Sequence, residues 1–427
     1  MRKKKSPIIE IIAVGSELLT PYYQDTNSLY ITSRLNDLGL KVRFKTIVGD
    51  EHASLLSCFK LALKRADMIF IIGGLGPTSD DMTREVFAEA SGRELEFRSD
   101  LLDYIKSRFQ RRGLIMTSSN KKQAFAIKGS EVIENRVGTA PGLWIEESGI
   151  TAVLLPGPPI ELKTLFESGV MPRMEKFRNG FNFRKVLKIT GITESSTETL
   201  LSDLYPKSPD IELSVLSYPG QIEVHITGHS FFSLENAESM IDPLVKSLKG
   251  RLKNHVFSEN NEELEEVIGK LLIKNNHSLS TAESCTGGLL GHRITNVPGS
   301  SKYFLQGVQV YSNQAKTKLL NIDEDVINQH GAVSAAVGGL MAEGIRKISE
   351  SDFGLAITGI AGPEGGTREK PVGLVFTALS WNNGTKVEKN MFLGMRVSVK
   401  SQATQKALDM LRRYILFKNT KQREDIS

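Results

Sequence analysis

The residues best suited to chemistry lie in the segment 281–288, which reads TAESCTGG and follows an apolar, strand-like run. Its two glycines, Gly287 and Gly288, permit close backbone approach at the start of a predicted helix. Free N–H groups at a helix start favour anions, either a phosphate or a developing oxyanion. Because Ser and Thr are also common helix caps, the motif alone leaves capping and catalysis equally open for Ser284 and Thr286.

Three further segments also follow predicted strands. Tyr311, Asn313 and Lys316 lie where one strand turns into a helix. A buried lysine has a lowered pKa, and its neutral amine can take a proton from a serine, although a solvated lysine is the commoner case. The glycine-rich segment that begins at Thr358 is either a ligand loop or a simple turn, and Arg396 is a candidate anion contact.

The chain has only two cysteines, Cys58 and Cys285, without the spacing of a metal site. This favours a reducing cytoplasm and argues against a disulfide framework. Cys285 adjoins Ser284, and a thiol is the stronger nucleophile. However, neighbouring side chains in a turn point in different directions, and no histidine is nearby in sequence. We therefore interpret Cys285 as a small buried apolar residue, and Cys58 as core.

A second cluster lies near the amino terminus. Gly74 and Gly76 at a strand end let backbone amides surround a phosphate. Carboxylates can hold a divalent cation against a pyrophosphate, or they can cap the next helix, and the two roles are equally open for Asp80 and Asp81. Asp81 is the metal ligand that we predict. The candidate residues of this site are Asp25, Asn27, Gly73, Gly74, Thr78, Asp80 and Asp81.

The elements that must position these residues follow a repeating pattern. Apolar strands alternate with amphipathic helices over residues 7–170 and again from residue 279 onward, which predicts two doubly wound, mainly parallel α/β sheets. Ligands bind such sheets at the carboxyl ends of the strands. Residues 186–257 instead predict a small α+β module. The sequence thus indicates three domains, 1–170, 171–258 and 259–427.

Composition restricts the class of protein. The chain of 427 residues is 40% hydrophobic and 24% charged, with a net charge of +5, as expected for a soluble globular protein. No apolar run is long enough to span a membrane, and the start does not resemble a signal peptide. The basic arm at residues 2–5 is read as a solvated tail.

The carboxyl-terminal motifs together resemble the CinA family (competence/damage-inducible proteins), whose last domain is a nicotinamide-mononucleotide amidase. The matching segments are 282–288, 298–301, 311–313, 316, 330–334 and 359–363. The resemblance implies that Ser284 is the nucleophile and Lys316 its general base, with assistance from Tyr311. It also implies substrate contacts at Thr286, Gly287, Gly288, Asn313, Thr358 and Arg396. Met395 departs from the Asp that often precedes this arginine.

The amino-terminal motifs resemble the molybdopterin-binding fold, and segments 135–142 and 155–159 extend that match. In the CinA family this domain is associated with metal-dependent ADP-ribose pyrophosphatase activity, and pterin binding is the alternative. The middle module resembles the family's KH-like insert. It lacks the G-x-x-G loop with which KH domains clamp RNA, so we read it as structural and do not expect a nucleic-acid partner.

The resemblance therefore implies a cytoplasmic enzyme, expected to be a homodimer, that recycles pyridine nucleotides. One half would convert nicotinamide mononucleotide to nicotinate mononucleotide and ammonia without a cofactor, and the other would cleave ADP-ribose with a divalent metal ion. Two alternatives stay open. One is an amidase whose amino-terminal domain only binds a pterin or nucleotide, and the other is a competence or DNA-damage adaptor.

Overall fold

A computed structural model describes residues 6–147 and 149–417, so the basic arm at residues 2–5 lies outside the described residues. The chain divides into two compact units. Unit 1 comprises residues 1–183 with 229–238, and unit 2 comprises residues 184–228 with 239–427. The elements of the middle segment are divided between the two units, and the boundaries at residues 170 and 258 stay predictions.

Unit 1 is built on a six-stranded sheet with the strand order β2-β1-β3-β8-β7-β6. Strands β1, β2, β3 and β8 pair in parallel, while β8, β7 and β6 pair antiparallel. The strands are β1 Ile9–Val14, β2 Val42–Val48, β3 Met68–Ile72, β4 Leu95–Phe97, β5 Phe125–Ile127, β6 Glu131–Ile133, β7 Gly142–Glu147 and β8 Ile150–Leu155. The helices are α1 Thr26–Asp37, α2 His52–Arg65, α3 Thr83–Ser91, α4 Ser99–Arg111, α5 Pro159–Leu165 and α6 Met171–Met174.

Both faces of this sheet are covered, which explains why its central strands are apolar throughout. In β3, Ile69 and Ile71 belong to a core with residues of α2, α3 and α4. Phe70, together with Met68 and Ile72, belongs to a second core with residues of α1 and α5. Alternate side chains of a strand point to opposite faces, so this strand supplies both cores. The predicted doubly wound architecture is confirmed here.

The middle segment forms a four-stranded sheet with the order β10-β11-β9-β12. Its elements follow the predicted order of strand, helix, two strands, helix and strand. They are β9 Phe181–Ile189, α7 Glu194–Leu201, β10 Ile211–Tyr218, β11 Gln221–Ser230, α8 Leu234–Leu252 and β12 Val256–Ser258.

The last segment contains a five-stranded sheet with the order β14-β13-β15-β16-β17. The central strand β13 pairs in parallel with β14 and β15, whereas β15, β16 and β17 form an antiparallel meander. The strands are β13 Leu279–Glu283, β14 Phe304–Gln309, β15 Phe353–Gly359, β16 Leu374–Trp381 and β17 Gly384–Met391. The helices are α9 Leu264–Lys274, α10 Leu289–Thr295, α11 Asn313–Leu320, α12 Glu324–His330, α13 Ala335–Ile348 and α14 Arg396–Phe417.

The helix after Ser284 begins later than its sequence predicts. Gly287 and Gly288 have φ angles of +61° and +95°, in the left-handed region that glycine adopts without strain. They therefore form a turn between β13 and α10, which begins at Leu289. Within residues 6–147 and 149–417, no helix is long and apolar enough to cross a membrane.

Candidate active site

Ser284 directly follows β13, the strand between β14 and β15. Its backbone N–H donates to the carbonyl of Ile357 in β15 at 2.9 Å, which fixes the residue at the carboxyl end of the parallel strands. The residue is 8% exposed. Its hydroxyl thus lies at the sheet edge where ligands bind in α/β proteins, as the sequence predicts.

Lys316 is brought to Ser284 by the first turn of α11, which the Ser312 hydroxyl caps by accepting from the N–H of Ala315. Lys316 Nζ lies 3.3 Å from Ser284 Oγ, 2.8 Å from the carbonyl oxygen of Val310 and 3.3 Å from that of Tyr311. Only 1% of the residue is exposed. Burial lowers the pKa of Lys316, since the charged form loses its hydration.

These three neighbours match the bonding capacity of a neutral amine. An uncharged amine has two N–H donors and one lone pair, and here two carbonyl oxygens and one hydroxyl face it. The carbonyls of Val310 and Tyr311 can accept both N–H groups, so that the lone pair faces the hydroxyl of Ser284. No carboxylate of the described residues forms an ion pair with Lys316. The arrangement therefore allows the amine to take up the serine proton.

Cys285 is held as a thiol. It is 6% exposed, and burial raises the pKa of its thiol to about 11. Because the thiolate is the nucleophilic form, this environment disfavours Cys285 as a nucleophile near neutral pH. Cys58 is half-buried against the core of unit 1.

One expectation for the helix start is wrong. The buried carboxylate of Glu283 accepts from the N–H groups of Gly288, Leu290 and Gly291 at 3.1, 3.0 and 2.8 Å. The first turn of α10 therefore binds its own carboxylate and does not face a ligand above Ser284. Sequence reasoning passed over Glu283, although an acid at the end of an apolar strand, just before a helix start, is a signal for capping.

The assisting Tyr311 and several of the predicted substrate contacts lie at the exposed side of the site. Tyr311 is 64% exposed, and its hydroxyl accepts from Arg396 Nη2 at 3.1 Å. Arg396 Nη1 donates to the carbonyl of Gly362 at 2.7 Å, so this first residue of α14 contacts both the glycine-rich loop and the segment that precedes α11. Asn313 is exposed at the first residue of α11.

Two threonines of the predicted site are fully buried. Thr358 donates its hydroxyl proton to the carbonyl of Ala332 at 2.8 Å, so that proton is committed to the backbone. Thr286 Oγ1 has no hydrogen-bond partner within the described part of the chain. A buried hydroxyl without a partner is costly, and a bound ligand would relieve this cost.

In unit 1, the glycine-rich loop after β3 lines a cavity of about 460 Å³. Gly73 and Gly74 have φ angles of +97° and +65° and line it together with Asp80 and Asp81. Asp81 accepts from the N–H of Thr78 at 2.9 Å. The N-cap of α3 is Met82, which makes no side-chain cap, so the helix-capping alternative for Asp80 and Asp81 is wrong.

The remaining predicted residues of that cluster have structural contacts. Asp25 accepts from the N–H of Ser28 at 2.9 Å and thereby caps α1. It does not line the cavity. Asn27 donates to the carbonyl of Gly157, a cavity residue, at 2.7 Å.

The cavity is acidic. Five carboxylate residues and no lysine or arginine line it; the acids are Glu17, Asp50, Asp80, Asp81 and Glu161. No group of three or more His, Cys, Asp or Glu residues that could enclose a metal occurs in residues 6–147 and 149–417. One or two carboxylates do suffice for a Mg²⁺ ion that is shared with substrate phosphates.

The fold and the two sites thus define an α/β protein with a buried serine–lysine pair in one unit and an acidic, glycine-lined cavity in the other. Three family models match consecutive segments: the probable molybdopterin binding domain at residues 10–176, the damage-inducible protein CinA KH domain at 184–258, and the CinA C-terminal domain at 261–415.

Relatives match over nearly the whole chain. A CinA-like protein of Koribacter versatilis is 42% identical over 414 residues, 96% of this chain and 100% of its own length. A putative competence-damage inducible protein of Acetivibrio thermocellus is 42% identical over 408 residues, 95% of this chain and 98% of its own length. A crystal structure of a CinA superfamily protein from Klebsiella pneumoniae matches with 32% identity and a TM-score of 0.36, over 37% of this chain and 99% of that one. The chain belongs to the CinA family, and the predicted family is confirmed.

Proposed function

We propose that the carboxyl-terminal part of the chain hydrolyses the carboxamide of nicotinamide mononucleotide, with Ser284 as nucleophile and Lys316 as its base. The observation that carries the proposal is the buried amine of Lys316, 3.3 Å from Ser284 Oγ. Because a carboxamide is a poor electrophile, its hydrolysis needs both an activated nucleophile and a stabilised oxyanion.

The proposed reaction has two steps with the same proton carrier. As Ser284 Oγ attacks the carboxamide carbon, its proton passes to the Lys316 amine. The resulting ammonium gives that proton to the leaving nitrogen, so that ammonia departs and an acyl ester on Ser284 remains. Lys316 then takes a proton from water, which attacks the ester, and returns the proton to Ser284 Oγ as nicotinate mononucleotide leaves.

The oxyanion must find donors outside α10, because Glu283 occupies the first-turn N–H groups of that helix. In the proposal, the backbone N–H groups of Cys285 and Thr286 donate to the oxyanion, since these residues directly follow the nucleophile. The N–H of Thr286 donates to no other backbone atom of the described residues. Tyr311 and Arg396 would border the substrate at the open side of the site.

The test is to incubate the full chain with nicotinamide mononucleotide, and to measure ammonia and nicotinate mononucleotide. We expect the two products in equal amounts and no effect of a chelator, since no step of the reaction uses a metal. Ser284→Ala should not form product. If the wild-type chain releases no ammonia, the proposal fails.

A second function is proposed for unit 1, namely cleavage of the pyrophosphate of ADP-ribose with a divalent cation. The supporting observation is the charge of its cavity, because five carboxylates without a basic residue would repel a free pyrophosphate. Asp80 and Asp81 would hold the cation, which would neutralise the phosphate charge. Chelator-sensitive release of AMP from ADP-ribose is the test. Pterin binding without cleavage would favour the non-catalytic alternative.

A further inference from the structure

The first turns of α14 place two basic residues beside the loop that follows Ser284. Arg396 and Lys400 are four residues apart on one helix and therefore share a face. A Cβ atom built on Gly287 would lie 3.8 Å from Lys400 Nζ. The absence of a side chain at Gly287 thus leaves the Lys400 amine next to the backbone three residues beyond the candidate nucleophile.

Among the residues that the structure describes, these two cations have no carboxylate partner, unlike their basic neighbours. Lys406 on the same helix pairs with Glu388 at 2.6 Å, and the nearby Arg293 pairs with Glu265 at 2.6 Å. Across residues 6–147 and 149–417, no carboxylate lies within ion-pair distance of Arg396 or Lys400. Arg396 instead donates to a tyrosine hydroxyl and a backbone carbonyl, both neutral.

The helix start nearest to Ser284 does not offer an alternative anion site. Its N–H groups are already bound to the carboxylate of Glu283. An anionic group of a ligand beside this loop therefore cannot bind the first turn of α10, whereas the side chains of Arg396 and Lys400 are available to it. The buried hydroxyl of Thr286, which precedes Gly287, is a further polar group without a partner and adds a donor on the same loop.

We propose that Lys400, together with Arg396, binds the phosphate of the mononucleotide and so makes the site selective for phosphorylated over unphosphorylated nicotinamide ribosides. This inference rests on the proposed amidase function. It assigns a role to Lys400, which neither the motifs nor the charge pattern of the sequence had singled out. A lysine amine is a suitable ligand because it binds phosphate as a point charge and tolerates several phosphate geometries.

The experiment measures equilibrium binding by calorimetry to the full chain carrying Ser284→Ala, which leaves the substrate intact. Nicotinamide mononucleotide and nicotinamide riboside are titrated with and without Lys400→Gln at low salt. We expect Lys400→Gln to weaken binding of the mononucleotide by about 10- to 100-fold, the worth of one hydrogen bond to a charged group, and to leave riboside binding unchanged. The matched control is Lys406→Gln, which removes the same charge from the same helix and should change neither.

The outcomes distinguish the phosphate role of Lys400 from the amidase proposal on which it rests. Unchanged mononucleotide affinity in Lys400→Gln, or an equal loss for both ligands, overturns the phosphate role. If the wild-type chain releases no ammonia while Lys400→Gln still selectively weakens mononucleotide binding, the amidase proposal fails and the phosphate site stands.

Discussion

Replacing Lys316 by Met should separate catalysis from folding. Methionine keeps a long apolar side chain in a position that is 1% exposed, so the core should stay filled. The change removes the amine that is placed to accept the proton of Ser284, at 3.3 Å from Nζ to Oγ. We therefore expect a folded protein that does not activate its serine.

The magnitude follows from the role of the amine. General bases contribute about 10²- to 10⁴-fold, so kcat/KM for ammonia release should fall by about that factor in Lys316→Met. A lysine with its ordinary pKa would be neutral in about one molecule per thousand at pH 7.5. Burial lowers the pKa of Lys316, and each unit by which that pKa falls raises the neutral fraction of the amine about tenfold. The wild-type rate should thus rise with pH and level off below pH 10.5, the ordinary lysine value.

The same residue links stability to pH. Because the folded pKa of Lys316 is lowered, the unfolded chain binds more protons between that folded pKa and the ordinary value of 10.5. The free energy of unfolding should therefore rise with pH through this window. In the Lys316→Met protein this rise with pH should be absent. Ammonia assays and thermal melts from pH 6 to 11 measure both effects. Near wild-type turnover in a folded Lys316→Met protein would refute the assignment of the base.

Three other predictions concern the surrounding structure. Glu283→Gln should lower the free energy of unfolding by about 2 kcal/mol in a denaturant titration, because an amide cannot replace the carboxylate that accepts three N–H groups; an unchanged midpoint would contradict the cap. Asp81→Asn should reduce Mg²⁺-dependent ADP-ribose cleavage at least about tenfold by removing one ligand charge, whereas wild-type turnover would contradict a metal role. The segment from Glu259 onward, expressed alone, should melt cooperatively but at a lower temperature than one starting at Arg184, since Arg412 binds the carbonyls of Asn254 and Val256; a non-cooperative melt would contradict the predicted boundary.

The positions of Ser284 and Lys316 could be predicted because both depend on hydrophobic periodicity. Each follows a predicted strand, and adjacent parallel strands end at the same edge of a sheet. The start of α10 could not be predicted in the same way. Its first-turn donors could have faced a ligand or a side chain, and only the placement of the buried Glu283 decides between them.

The acidic residues of unit 1 show a similar limit. Carboxylates that cap a helix and carboxylates that face a cavity have the same residue types and similar spacing, so the sequence left both roles open for Asp80 and Asp81 and placed Asp25 in the same site. In the structure Asp25 caps α1, while Asp81 lines the cavity and accepts a hydrogen bond from the N–H of Thr78. The role of each depends on the direction of a single side chain, which local pattern does not encode.

The most direct test of the proposed function compares two neighbouring residues in the full chain, Ser284→Ala and Cys285→Ala, by ammonia release from nicotinamide mononucleotide. Ser284→Ala should lose at least about 10³-fold in kcat, as expected when nucleophile and base act as a unit. Cys285→Ala should keep most of its activity, because burial raises the pKa of that thiol to about 11 and it serves only in packing. An inactive Cys285→Ala protein beside an active Ser284→Ala protein would contradict the account and assign the reaction to the thiol.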